Sequence, residues 1–265
     1  MDLGLTGKAC LVTGASRGIG LATARLLCAE GARVLLNARG AEDLDAAVAE
    51  CAAAGGEAAG VALDVTGPDA EERLIAACGE RFGAVEALVL NAGTSRQRTL
   101  EELTDDEWQA QWELHVMSPL RLMRAAAPGM AKRGEGRIVN VSSSAGKRPS
   151  LTNAAYSVTK AAQLSLSRTF AQSYADRGVL VNAVTPGAVE TSLWLAEGGI
   201  ADQAAAAQGI SREEALAVQA EKIPLGRFGT GEEIAAVIVF LCSARASNVT
   251  GAAWSVDGGA VPIMI

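Results

Sequence analysis

Two side chains four residues apart, Tyr156 and Lys160, are the pair in this sequence best suited to moving a proton. They fall near the start of a stretch with helical periodicity, where positions i and i+4 share one face. A phenol titrates at about 10 in water, too high for a base at neutral pH. A neighbouring ammonium favours the phenolate, and a drop of about 3 units corresponds to about 4 kcal/mol of differential stabilisation. Such a drop requires a partly desolvated pocket. The spacing alone is weak evidence, because Tyr-x-x-x-Lys arises by chance on many helices. Just upstream, Ser142, Ser143 and Ser144 close an apolar run. Any of the three could hydrogen-bond a substrate oxygen and hold charge there.

A second constellation supplies the missing reactant. The turn Thr13-Gly14-Ala15-Ser16-Arg17-Gly18-Ile19-Gly20 follows an apolar run and opens a helical stretch. Glycines let a backbone approach a pyrophosphate closely, and a helix N-terminus offers free N–H groups to its charge. The spacing is G-x-x-x-G-x-G, not the G-x-G-x-x-G of many dinucleotide folds. NAD-binding folds place a carboxylate at the end of the second strand to bond the ribose 2′-hydroxyl. Here that neighbourhood reads Asn37-Ala38-Arg39, with no carboxylate. Arg39 and Arg17 can converge on a 2′-phosphate, whose geometry suits a guanidinium, so the reading is NADP(H) over NAD(H). Asp64-Val65 and Asn91-Ala92-Gly93 end the third and fourth apolar runs. Both stand at the strand edge where open α/β sheets bind ligands. Asp64 is placed to accept from an adenine amino group, and Ala92-Gly93 to let the adenosine portion come close. With a nicotinamide beside it, the Tyr156–Lys160 pair becomes the proton partner of a hydride transfer. Lys160 can also hold the nicotinamide ribose.

These residues need a scaffold, and the chain alternates short apolar runs with longer 3.6-period segments. Strands are expected at Ala9–Thr13, Arg33–Asn37, Ala59–Asp64, Ala87–Leu90, Arg137–Val141, Val179–Val184 and Ala253–Val256. Helices are expected near Gly18–Ala29, Glu42–Ala54, Ala70–Phe82, Asp105–Arg133, Ala154–Asp176 and Glu232–Cys242. Capping boxes mark three starts: Thr104 with Glu107, Ser211 with Glu214, and Thr230 with Glu233. The alternation predicts an α/β fold of Rossmann type: a doubly wound, mostly parallel sheet flanked by helices, as a single domain over residues 1–265. Residues from about Ser192 to Lys222 break the rhythm and read as an inserted substrate lid with helix-like patches.

Composition agrees. Hydrophobic residues make up 49% and aromatics 4%, so the core must be built from Ala, Val, Leu and Ile, as in helices packed on a parallel sheet. The net charge of −7 with no basic cluster argues against nucleic acid or an anionic membrane as partner. The five cysteines show no C-x-x-C pair and read as buried thiols in a reducing compartment. His115 is the only histidine, which excludes a His-based metal site and a Ser-His-Asp triad. No metal is expected. No leader or membrane span is evident either, so the expected location is cytoplasmic.

Together these pieces resemble the short-chain dehydrogenase/reductase family over nearly the whole chain. The matching residues are Thr13–Gly20, Asp64, Asn91-Ala92-Gly93, Ser143, Tyr156-x-x-x-Lys160, Pro186-Gly187 and Asp257-Gly258-Gly259. The resemblance selects Ser143 among the serines, as the group that orients the substrate. It implies Tyr156 as acid/base and Lys160 as its electrostatic partner and ribose ligand. It also implies that Val189 and Thr191, after Pro186-Gly187, contact the nicotinamide end, and that Asp257-Gly258-Gly259 is mainly structural. Similar proteins are usually tetramers, assembled through helices matching Asp105–Arg133 and Ala154–Asp176 and the last strand. Two departures stand out. Leu90 replaces the first Asn of an Asn-Asn-Ala-Gly motif, with loss of a sheet-supporting hydrogen bond expected. His115 replaces an Asn that completes a proton relay, and is read as an ordinary helix residue more than a catalytic one.

The expected substrate is a small ketone or secondary alcohol. Trp194 and Leu195, with Leu151 or Ser95, are candidates for an apolar wall. The chain is also similar to 3-oxoacyl-acyl-carrier-protein reductases, and Lys132, Arg133 and Arg177 could meet an acidic carrier. Against that, Thr152-Asn153-Ala154-Ala155 lacks the Gly-Gln-x-Asn typical of those enzymes. A non-catalytic NADP-binding regulator would explain the glycine turn, yet gives no reason for Ser143, Tyr156 and Lys160 together.

Overall fold

The computed structural model describes residues 1–263. Seven strands form one sheet: β1 (Ala9–Thr13), β2 (Arg33–Ala38), β3 (Glu57–Ala62), β4 (Ala87–Leu90), β5 (Gly136–Val141), β6 (Val179–Pro186) and β7 (Ala253–Val256). Their order is β3-β2-β1-β4-β5-β6-β7, and every pairing is parallel. Strand order therefore reverses direction between β1 and β4. Ligands bind outside the carboxyl ends of the strands at such a switch point.

Helices cover both faces, because each buried strand points alternate side chains to opposite sides. Cys10 and Val12 of β1 enter one core with residues of α1 (Gly18–Ala29), α2 (Ala41–Ala53) and α10 (Gly231–Cys242). Ala9 and Leu11 enter the other, with α3 (Ala70–Phe82), α5 (Ser118–Arg133) and α6 (Ala154–Tyr174). Both cores are mostly Ala, Val, Leu and Ile, and all five cysteines lie buried and unpaired in them.

The expected long helix after β4 is interrupted. It comprises α4 (Asp105–Trp112), a π turn (Glu113–Met117) and α5. Strand β3 begins and ends two residues before the expected Ala59–Asp64, so Leu63 and Asp64 lie in the loop beyond it. The expected lid holds three short helices: α7 (Ser192–Leu195), α8 (Ile200–Gln208) and α9 (Arg212–Glu221). All three expected capping boxes are present, with reciprocal hydrogen bonds at Thr104–Glu107, Ser211–Glu214 and Thr230–Glu233. Among the described residues, no helix is long and apolar enough to cross a membrane.

Candidate active site

A cleft of about 650 Å³ opens at the carboxyl edge of the sheet. Its floor begins at the turn from β1 to α1. Gly14 takes φ +63°, and a Cβ there would come within 2.8 Å of Ala92 Cα. Only glycine tolerates both the left-handed backbone and that approach. Asn91 stitches the two loops together, its side-chain amide donating to Thr13 O (3.1 Å) and Gly14 O (2.9 Å). Thr13 Oγ1 accepts from the backbone of Asn91 and Ala92 in return. Helix α1 has neither a side-chain cap nor an acidic residue in its first turn, unlike α4, α9 and α10. Its N-terminal N–H groups are thus available to an anion.

Of the residues expected at the cofactor, Gly14, Ser16, Arg17, Gly18, Ile19, Asn37, Arg39, Asp64, Val65, Asn91, Ala92, Gly93, Tyr156, Lys160, Pro186, Gly187, Val189 and Thr191 line this cleft. Gly20 does not. It packs inside the turn, where a Cβ would lie 2.2 Å from Gly14 O, so its part is to let the helix close on the loop. Asn37 reaches the cleft wall, but its amide donates to Val61 O (3.1 Å) and Leu63 O (2.9 Å), bracing β2 against the β3 loop. Asp64 Oδ1 accepts from Thr66 N (2.9 Å), and this hydrogen bond, with Arg39 nearby, holds the carboxyl below its ordinary value. Arg17 and Arg39 belong to no ion pair among the described residues. Asp257 accepts from Gly259 N and Val261 N, the structural part expected of it.

The residues expected to handle the proton meet where β5 runs into α6. Gly146 permits this: a Cβ there would lie 2.8 Å from the Lys160 carbonyl carbon, so the turn after β5 rests directly on the helix. The three serines part company. Ser142 Oγ donates to Lys160 O (2.8 Å), and Ser144 begins a 3-10 turn. Ser143 Oγ accepts from Ala145 N (3.1 Å) and lies beside the Tyr156 phenol on the wall of a second cavity. Burial raises that phenol above its ordinary value while Ser143 works the other way, so Tyr156 is held as a proton donor. Lys160 is 3% exposed, and burial brings its ammonium down to about 7. Its Nζ donates to Val141 O and Gln163 Oε1, each at 2.9 Å, and lies 5.5 Å from the centre of the Tyr156 ring.

His115 is neither an ordinary helix position nor a reacting group. The π turn carries it under Gly93, wholly buried and edge-on to the Tyr156 ring. Thr94 N donates to Nε2 (3.3 Å), Nδ1 meets Thr159 Oγ1 (3.0 Å), and Thr159 Oγ1 donates to Tyr156 O (2.9 Å). Burial first, and the Lys160 charge second, hold the imidazole well below its ordinary range. Leu90 lies in register with Asn140, whose buried Oδ1 finds no partner among the described residues.

A second cavity of about 630 Å³ continues from Ser143 and Tyr156 beneath the lid. Leu193 and Trp194 of α7 face it, with Ile200, Val218 and Ile223 behind them. Leu151 and Ser95 join its wall as expected, but Leu195 turns away and is 38% exposed. Ser95 also lines the cofactor cleft, together with Thr94 and Gln111, which were not anticipated. Thr94 and Ser95 simply extend the Asn91-Ala92-Gly93 loop, so that motif marked them. Lys132 and Arg133 end α5, and Arg177 precedes β6, so all three lie at the amino edge of the sheet. Arg133 donates to Val85 O, and Arg177 to Ser173 O. The cleft opens at the opposite, carboxyl edge.

A doubly wound parallel sheet with this turn, this cleft and a Ser–Tyr–Lys cluster defines a nucleotide-dependent oxidoreductase. Comparison with known proteins gives the same answer. A family model described as Enoyl-(Acyl carrier protein) reductase matches residues 14–261. The 3-oxoacyl-[acyl-carrier-protein] reductase FabG of Vibrio cholerae is 37% identical over 260 residues, covering 97% of this chain and 98% of that one. L-Sorbose reductase from Gluconobacter frateurii, solved with NADPH and L-sorbose, superposes with a TM-score of 0.93 at 36% identity over 100% of both chains. An actinorhodin polyketide ketoreductase with NADPH also gives a TM-score of 0.93 at 36% identity, over 97% of this chain and 98% of that one. The chain belongs to the short-chain dehydrogenase/reductase family.

Proposed function

We propose that this protein is an NADP(H)-dependent reductase of ketones and dehydrogenase of the matching secondary alcohols. The observation that carries the reading is the meeting of Ser143, Tyr156 and Lys160 at the junction of the cofactor cleft and the second cavity. Gly14, Gly18 and the uncapped start of α1 would hold the pyrophosphate, and Lys160 and Thr191 the nicotinamide half. When bound, the cofactor supplies or takes the hydride. The chain's part is the proton and the charge. Ser143 hydrogen-bonds the substrate oxygen while Tyr156 hands it a proton in reduction, or takes one in oxidation. Lys160 favours the phenolate that this leaves behind. Trp194 and its neighbours on the lid shield the step from water.

NADPH is favoured over NADH because Arg17 and Arg39 flank the cleft where a carboxylate would stand in an NAD-binding site. Reduction of a 3-oxoacyl thioester is the second reading, favoured by the family match and the FabG relatives. We infer a cytoplasmic tetramer, in line with five free thiols and with Val158 and Trp254 exposed on α6 and the edge strand β7. The deciding assay follows NADPH oxidation with a panel of ketones that includes 3-oxoacyl thioesters. Turnover is expected with at least one class, and Tyr156→Phe should lose it by roughly a thousandfold while still binding NADPH. Full turnover in Tyr156→Phe would refute the mechanism, and binding without turnover in the unaltered protein would mark a regulator.

A further inference from the structure

Gln163 lies one turn beyond Lys160 on the buried face of α6 and is 1% exposed. A primary amide in that position is costly unless hydrogen-bonded, and an apolar side chain would fill the space without the penalty. Its partner is Lys160 Nζ, at 2.9 Å. Amide oxygen and nitrogen are easily confused, but an ammonium only donates, so the carbonyl must face it. Taking Tyr156 and Lys160 as the proton-handling pair, we propose that Gln163 is a positioning residue. Its carbonyl keeps Lys160 charged and aimed at the cleft.

The surroundings leave that task to few groups. Lys160 has three N–H donors. Val141 O takes one and Gln163 Oε1 another, which leaves the third for the cleft side, where Tyr156 stands. The titratable groups facing it are Tyr156 on its own helix and His115 on the π turn, both neutral. The end of β5 presents Ser142 and Ser143, and the Pro186-Gly187 turn carries no charge. No carboxylate acts on the ammonium among the described residues. Two carbonyl dipoles therefore stand where a counter-ion would be. Gln163 is itself held in place, since Ser167 Oγ donates to its backbone carbonyl (2.8 Å) and Asn140 Nδ2 donates to Ser167 Oγ (2.8 Å). The support runs back to β5, the strand that also supplies Val141 O.

The test uses the full-length protein with its lysines labelled at the ε-carbon and titrated by NMR. Those lysines are Lys8, Lys132, Lys147, Lys160 and Lys222, and the Lys160 signal is identified by its loss in Lys160→Arg. Gln163→Met keeps the length and removes the acceptor, so Lys160 should release its proton about one pH unit lower. Gln163→Glu replaces the amide oxygen with a carboxylate, so the same signal should move about one unit higher. The remaining lysines should not move in either variant. If Gln163→Met fails to fold, Gln163→Leu, which also lacks the acceptor, takes its place. An unchanged Lys160 titration would overturn the proposal and reduce Gln163 to packing. The catalytic half is read in alcohol oxidation with NADP. There kcat should move to lower values in Gln163→Met with the alcohol KM little changed, because Lys160 is less well held beside Tyr156. A lysine shift without that movement would overturn the link to proton transfer. The NMR readout needs no turnover, so a protein inactive on every ketone would leave this result intact and count only against the proposed reaction.

Discussion

The backbone N–H of Thr94 can only donate, so the nitrogen it meets, His115 Nε2, must carry the lone pair. The proton then sits on Nδ1 and is donated to Thr159 Oγ1, whose own hydrogen goes to Tyr156 O. This is a one-way chain, and it ends on the turn that carries the Tyr156 phenol. A second proton on the imidazole would set two N–H groups against each other, in agreement with the depressed titration of His115. The sign of the pH effect follows. The unfolded chain takes up a proton on His115 as pH falls through about 6.5, and the folded protein does not. Stability is therefore present above that value and is lost below it, at up to about 1.4 kcal/mol per pH unit. His115→Asn should flatten that slope between about pH 6.5 and 5 in urea unfolding. It should leave the pH dependence of kcat between about pH 6 and 8 unchanged, since a group that stays neutral cannot titrate there. Equal slopes in the two proteins would exclude this account. Tyr156 and Lys160 stood out in the sequence through their i, i+4 spacing beside a nucleotide turn, whereas only the family resemblance separated Ser143 from Ser142 and Ser144. Gln163 and Thr159 did not stand out, since a polar residue on a helix reads as solvated until the fold shows which face is buried.

At the scale of elements, the turn from β1 to α1 shows how packing and binding share residues. The loops after β1 and β4 touch at Gly14 and Ala92, and Asn91 ties them together. Gly14→Ala would place a methyl 2.8 Å from Ala92 Cα on a backbone at φ +63°. One loop must move, and both line the cofactor cleft. NADPH affinity should fall at least tenfold, with a lowered Tm, while the ketone KM at saturating NADPH changes little. A fluorescence titration with NADPH that finds unaltered affinity would show that the turn tolerates a side chain. The elements differ in how plainly the sequence announced them. The starts of α4, α9 and α10 were legible because a capping box is a local chemical pattern. The π turn was not, because one extra residue in a helix leaves the apolar period almost intact. Strand β3 was displaced because it is an edge strand of Ala, Gly, one Val and one Glu, half open to solvent, with little alternation to read. The lid helices are Ala- and Gln-rich with few buried positions, so their packing, not their pattern, decides where they end.

For the whole molecule, the decisive contrast is between net charge and local charge. The chain carries −7, so its field at long range repels an anionic cofactor. At one end of the cofactor cleft Arg17 and Arg39 lie among the walls, in no ion pair among the described residues, with Asp64 near Arg39. A fully paired arginine would offer little to a phosphate, whereas an unpaired one can form two parallel hydrogen bonds with it. At physiological salt the screening length is about 8 Å. The repulsion from distant acids is therefore damped while a direct Arg–phosphate contact survives. Preference between the cofactors should then reside in these two residues and not in overall charge. Arg39→Ala is expected to lower kcat/KM for NADPH by roughly ten- to a hundredfold, in keeping with loss of a charge-assisted pair of about 1.5–3 kcal/mol. The same change should leave kcat/KM for NADH within about twofold, because that cofactor has no 2′-phosphate to meet the guanidinium. Adding salt should narrow the gap between NADPH and NADH in the unaltered enzyme and have less effect in Arg39→Ala. Equal losses with both cofactors would assign Arg39 to holding the loop after β2, and would return the question of cofactor choice to Arg17 alone.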